Sequence, residues 1–238
     1  MSSFHQIQSH PQISRLKYND SLLKGNRKNN YWQISRKYYK VRRNINQNPK
    51  HMKQTIAKIF LKLLGWEIKV ENPQILTERK YILLAAPHTS AWDFIIGKTV
   101  YLALGLESKF FIKDSFFKGP IGKVLKKMGG IPINQNSPRE AVKMMNEIKN
   151  LNEIRLIITP EGTRQKTTKW NNGFYSIAKK TGIPVYIGIL DFGSKTCFLG
   201  NEFIIRNDFE EDMKQLRNTF HKKQAKHPEK FTLHGENE

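Results

Sequence analysis

The sequence predicts an α/β fold, a mostly parallel central sheet flanked by helices, preceded by a basic N-terminal extension. Three observations carry this reading. From about residue 80 onward, short apolar runs of strand length alternate with segments of helical period. Gly or Pro marks many of the transitions between them. Residues 1–51 have neither pattern: they hold 11 Lys and Arg and one acid, Asp20, among many Asn, Gln and Ser. Low hydrophobicity with high net charge does not support a packed core, so this segment reads as a disordered extension.

Patterned sequence begins at Met52, which makes residues 52–238 the expected folded domain and offers Met52 as an alternative start of the working protein. Over residues 53–65, Ile56, Ile59, Phe60, Leu63 and Leu64 recur at helical spacing, with Lys53, Lys58 and Lys62 between them. Such an amphipathic basic helix either packs on the domain or lies in a membrane interface with its lysines toward lipid phosphates. Residues 81–87 (YILLAAP) read as a buried strand and 92–104 as a helix. A short strand follows at 109–113, then a basic helix at 119–129 stopped by Gly129 and Gly130, and a third strand at 130–134. Residues 137–151 form a helix, with Ser137 as N-cap, Pro138 at the first helical position and Glu140 completing a capping box. A fourth strand over 153–160 precedes a helix at 171–182 that Gly182 ends. The fifth strand is 184–192, with an added antiparallel one at 195–200 and a charged helix from Phe209 to Lys226.

Composition narrows the function classes. The 238 residues carry 41 Lys and Arg against 20 Asp and Glu, a net charge of +21, with 38% hydrophobic residues. The single cysteine, Cys197, excludes an internal disulfide framework and a multi-cysteine zinc site, and fits a reducing compartment. No apolar run approaches the roughly 18 residues that span a bilayer, and no signal-peptide core follows Met1. The positive charge calls for an anionic partner, whether nucleic acid, acidic lipid or acidic protein. Tyr31, Trp32, Tyr38 and Tyr39 lie among Arg36, Lys37, Lys40, Arg42 and Arg43. Bases interleaved with rings suit single-stranded nucleic acid or an anionic membrane surface, or simply form a solvated tail. No nucleic-acid recognition motif supports the first of these as the main function.

Ligands of α/β folds collect at the carboxyl edge of the sheet, which directs attention to two strand ends. In APHTSAWDF, His88 follows the strand at 81–87 and Asp93 lies near the start of the next helix. An acid at that spacing can hold one ring nitrogen and leave the other to remove a proton from an alcohol. A serine-hydrolase arrangement needs a nucleophile as well, and no G-x-S-x-G elbow is present; Cys197 has no His nearby in sequence. In IITPEGTRQK, Gly162 can take a left-handed turn that presents backbone N–H groups, while Thr163, Arg164 and Lys166 add a hydroxyl and charge. Each junction alone is also explained by a capped helix or a tight turn with solvated charges.

Together, His-x4-Asp and Pro-Glu-Gly-Thr-Arg some seventy residues later resemble the glycerolphosphate and lysophospholipid acyltransferase family. GGIPIN falls where that family has its middle block, GIPVYIGILDF is similar to its fourth, and KWNNGFYSIAKKTGIPV and KHPEKF are similar to a small bacterial branch. The likeness runs from about Met52 to Phe231. It implies transfer of a fatty acyl group from acyl-CoA or acyl carrier protein to a hydroxyl of a lysolipid or glycerol phosphate. His88 would be the general base and Asp93 its orienting partner; Glu161, Gly162 and Thr163 would shape the substrate site, and Arg164 would hold a phosphate. Gly130, Ile131 and Pro132 would belong to the substrate-binding site. A thioester is already activated, so no metal or other cofactor is expected beyond the acyl donor. The same resemblance implies a cytoplasmic protein at the inner face of an anionic membrane. One departure stands out: Gln135 lies where the family has an Arg that contacts phosphate, and Gln makes no charged bidentate contact. Lys113, Lys118 or Arg139 could replace it. The departure leaves open a different lysolipid acceptor, or a homologue that binds lipid without turnover. Phe94, Phe110, Phe111, Phe116 and Phe117 are candidates to line an acyl groove or to fill the core.

Overall fold

The structure, a computed structural model, describes residues 49–134 and 138–232, without the side chains of 138–143. The readings made on residues 1–48, on Gln135 and Ser137, and on the side chains of Arg139 and Glu140 lie outside the described residues.

In chain order the elements are α1 (Pro49–Leu63), β1 (Glu67–Val70), α2 (Gln74–Thr77), β2 (Lys80–Ala85), α3 (Ala91–Leu104) and β3 (Lys109–Lys113). After a single 3-10 turn come α4 (Gly119–Lys127), β4 (Gly130–Ile133), α5 (Pro138–Asn150), β5 (Ile154–Ile158), α6 (Gly173–Thr181), β6 (Val185–Asp191), β7 (Thr196–Phe203) and α7 (Phe209–Asn218). The strands form one seven-stranded sheet in the order β1-β7-β6-β2-β5-β3-β4. From β6 to β4 all pairings are parallel; β7 runs antiparallel to β6, and β1 runs parallel to β7. The mostly parallel α/β sheet is therefore as the sequence predicts.

Alternation along β2 explains why it lies at the centre. Tyr81 and Leu83 enter one core with Ala57 and Leu61 of α1 and Ile96 and Val100 of α3. Ile82 and Leu84 enter the other, with Phe174 and Ile177 of α6 and Leu216 of α7. A strand buried on both faces reads as a continuous apolar run, which is what residues 81–86 are. β6 repeats the arrangement: Val185 and Ile187 face the α6 side and Tyr186 faces the other. The helix ends follow local chemistry. Ser90 caps α3 in a capping box with Asp93, and Gly105 ends it at φ 74°, a left-handed conformation that a side chain resists. Asp208 caps α7, whose first turn holds Glu210, Glu211 and Asp212 against the positive end of the helix dipole.

Several boundaries differ from expectation. α1 begins at Pro49, ahead of Met52, and ends at Leu63. The residues it buries are Ala57 and Leu61, whereas Ile56, Ile59, Phe60 and Leu63 of the expected apolar set face outward, Leu63 at 80% exposure. α7 ends at Asn218; the rest of the expected closing helix holds a short 3-10 turn at Lys222–Gln224, and a second such turn follows at Pro228–Lys230. β1 was not expected at all: four residues, two of them charged, with only half-buried apolar positions, give little periodic signal.

Candidate active site

β2 pairs in parallel with β5 on one side and β6 on the other, so the carboxyl ends of all three leave the sheet at the same edge. After β2 the chain passes a cis Ala86–Pro87 peptide and reaches His88, Thr89 and the cap residue Ser90. The Nδ1 atom of His88 lies 3.0 Å from Oδ2 of Asp93. That same oxygen accepts the backbone N–H groups of Thr89 and Ser90, both at 2.8 Å. An ionised Asp93 is an acceptor only, so Nδ1 carries the proton and Nε2 presents its lone pair. Asp93 is buried and His88 is partly open, at 19% side-chain exposure.

Glu161 comes from the next strand, beyond the end of β5. Its Oε1 accepts the backbone N–H of His88 at 2.8 Å, which ties the two strand-end loops together. Its Oε2 is buried with no hydrogen-bond partner among the described residues. Burial pushes this carboxyl up to about 7, against the opposing pull of the His88 N–H.

The loop after Glu161 depends on glycine. Gly162 has φ 64°, its N–H donates to the Thr159 carbonyl at 3.1 Å, and a Cβ there would lie 2.1 Å from Nδ2 of Asn171. The backbone N–H of Asn171 in turn donates to the Pro160 carbonyl at 2.7 Å. Asn171 thus lies flush against the loop and fixes it. The Thr163 hydroxyl accepts the Gln165 N–H at 3.2 Å, and Arg164 and Lys166 extend into solvent.

The other predicted residues stand apart from this group. Gly130, Ile131 and Pro132 lie on β4, the edge strand, three places from β2 in the sheet. At the usual strand spacing that is about 14 Å. Lys113 ends β3, two places from β2, and is exposed. The structure brings together His88, Asp93 and Glu161, and leaves the middle block and Lys113 farther along the same sheet. Of the phenylalanines, Phe110 is buried and packs against Phe94 at 4.7 Å between ring centres, whereas Phe116 is exposed. Cys197 is buried in β7, where burial pushes its thiol up to about 12, which leaves it inert as a nucleophile.

Two contributions escape a reading of the motifs. Asn171 supports the Gly162 turn, and the C-terminal segment reaches the dyad loop, where the His227 N–H donates to Oγ1 of the buried Thr89 at 3.1 Å. The only sequence signal for the second is the KHPEKF run itself. Among the described residues no group of three or more His, Cys, Asp or Glu could hold a metal ion.

An imidazole held at a strand end by a helix-start carboxylate, beside a Glu-Gly-Thr-Arg turn on the adjacent strand, is an arrangement that can accept a proton from a hydroxyl. The chain belongs to the acyltransferase family: the family model described as Acyltransferase matches residues 67–187. Its fold is similar to that of the 1-acyl-sn-glycerophosphate (LPA) acyltransferase PlsC from Thermotoga maritima, at a TM-score of 0.50 and 18% identity, over 74% of this chain and 79% of that one. No curated protein matches the chain.

Proposed function

We propose that this acyltransferase moves a fatty acyl group from an acyl thioester, acyl-CoA or acyl carrier protein, to a hydroxyl of a lysophospholipid or glycerol-phosphate-type acceptor. The observation that carries the reading is the hydrogen bond from His88 to a doubly anchored Asp93. With Nδ1–H held by Asp93, Nε2 of His88 takes the proton of the acceptor hydroxyl as its oxygen attacks the thioester carbonyl. The tetrahedral oxyanion collapses, the C–S bond breaks, and the leaving thiolate takes the proton back from His88. An ester C–O bond replaces the thioester, and no further cofactor is consumed. Asp93 stabilises the transient imidazolium, and Glu161 fixes the backbone from which His88 projects. Arg164, exposed in the adjacent loop, is a group for a phosphate of donor or acceptor.

The same reading places the protein on the inner face of an anionic membrane. Among the described residues no helix is long and apolar enough to cross a membrane. Support for a peripheral contact comes from α1, which turns Met52, Ile56, Ile59, Phe60 and Leu63 outward beside the exposed Lys58 and Lys62. An apolar stripe flanked by lysines suits the boundary between acyl chains and anionic headgroups. The test is transfer from a labelled acyl thioester to a lysolipid by the wild-type chain and His88→Ala. Transfer vanishes in the folded variant if His88 is the base; transfer that persists there overturns the mechanism.

A further inference from the structure

The sequence offers Arg164 as one cation for a phosphate, on the β5 side of the dyad. Gln135 carries no charge, and Lys113 lies two strands from β2. The structure fixes another cation on the opposite flank. Nζ of Lys226 sits 4.8 Å from the centre of the Trp92 ring and 5.8 Å from that of Phe192. Trp92 directly precedes Asp93 in the first turn of α3, and Phe192 is the residue that follows β6. Lys226 therefore bridges the carboxyl ends of β2 and β6, as Arg164 occupies the end of β5 on the other side.

Two tethers hold the segment there. The Phe192 N–H donates to the Gln224 carbonyl at 3.0 Å, and the His227 N–H donates to Thr89 Oγ1 at 3.1 Å. Ala225 and Phe231 are buried at its two ends. Thr89 also donates its own N–H to Asp93 Oδ2, so one hydrogen-bonded path runs from this segment to the acid of the dyad.

The charge of Lys226 is positioned but not neutralised. Among the described residues its ammonium has no carboxylate partner within ion-pair distance. Glu229, three residues on in the chain, faces Nδ1 of His227 at 3.6 Å, and Oδ1 of Asp191, which precedes Phe192, accepts the N–H groups of Gly193 and Ser194. Aromatic faces attract an ammonium without satisfying its three donors. A lysine caged by rings at the ligand edge of a parallel sheet, beside the positive end of α3, is built to meet an anion.

We infer that Lys226 binds the phosphate of a substrate in this site, either the phosphate of the lipid acceptor or those of the thioester donor. The inference rests on the acyl-transfer reading above. Its test uses binding rather than turnover. The full chain, Lys226→Met and Lys226→Arg are titrated calorimetrically with lysophosphatidic acid against monoacylglycerol, and with coenzyme A against pantetheine. The Met variant keeps an unbranched side chain of similar length without the charge, and thermal melting reports its fold; if it melts lower than wild type, Lys226→Gln takes its place. Charge-assisted contacts to phosphate are strong enough that its loss weakens binding of a phosphate-bearing probe by about tenfold or more. The Arg variant retains binding, and the phosphate-free probes are unaffected. Weakening confined to lysophosphatidic acid assigns the acceptor phosphate, and weakening confined to coenzyme A assigns the donor. The inference is overturned if wild type binds neither phosphate-bearing probe, if the Met variant binds both as wild type does, or if the phosphate-free probes weaken equally. The acyl-transfer reading is judged separately, by whether wild type transfers and His88→Ala does not.

Discussion

Nδ1 of His88 and Oδ2 of Asp93 lie 3.0 Å apart, and the oxygen that meets the imidazole is also the one that accepts the Thr89 and Ser90 N–H groups. One carboxylate atom therefore caps α3 and orients the ring. The cap fixes where the acid sits, and the acid fixes which ring nitrogen is basic.

Asp93→Asn separates these roles. The side-chain oxygen can still accept backbone N–H groups, but the negative charge that favours the imidazolium is gone. Activity should fall by about 100- to 10,000-fold, the usual weight of general-base catalysis. Stability should fall by no more than about 1 kcal/mol, the scale of a helix cap. Measured kcat beside thermal melting checks both.

Glu161 makes stability depend on pH. Burial raises its carboxyl from 4.5 to about 7, so between those values the folded protein holds a proton that the unfolded chain releases. Stability therefore declines as pH rises through that window and stays lower above it. Glu161→Gln has no proton to lose, and its Oε1 can still accept the His88 N–H. Urea titrations at about pH 5 and about pH 8 should show wild type losing more stability than the Gln variant between the two. Equal losses would show that the carboxyl titrates as it does in the unfolded chain.

Gly162→Ala meets two obstacles at once. The left-handed backbone at φ 64° costs a side chain about 1–2 kcal/mol, and the new Cβ would lie 2.1 Å from Nδ2 of Asn171. Adding Asn171→Ala removes the collision and leaves the backbone cost. Thermal melting of both singles and the double should show the double less destabilised than the sum of the singles.

The two faces of α1 should respond oppositely. Ile59→Glu with Leu63→Glu alters residues at 53% and 80% exposure, so melting should be unchanged while co-flotation with anionic vesicles falls. Leu61→Ala empties a buried position and should cost about 2–5 kcal/mol of stability.

The readable parts of this protein are those with local causes. The run at 81–86 announces a strand covered on both faces, and Ser90 with Asp93 writes the start of α3 into four residues. Gly182 marks a helix end because it takes a left-handed conformation, as Gly105 also does in the structure. β1 was not legible because a short edge strand is stabilised by its partner, here β7, about 130 residues away, and only weakly by its own pattern. α1 misled in a different way. Its most apolar stripe faces outward, and the small Ala57 with Leu61 makes the close contact with the domain.

The sequence by itself determined the α/β class, the positions of the central strands, and the pairing of His88 with Asp93, since all of these rest on residues close together in the chain. Only the tertiary structure decided the order of strands, the meeting of Glu161 with the His88 backbone, and the arrival of Lys226 and His227 beside Trp92 and Thr89. The physical reason is sequence separation. Contacts 73 and 138 residues apart form only when two buried faces of one sheet are satisfied together, and no local pattern records which partner each loop will meet.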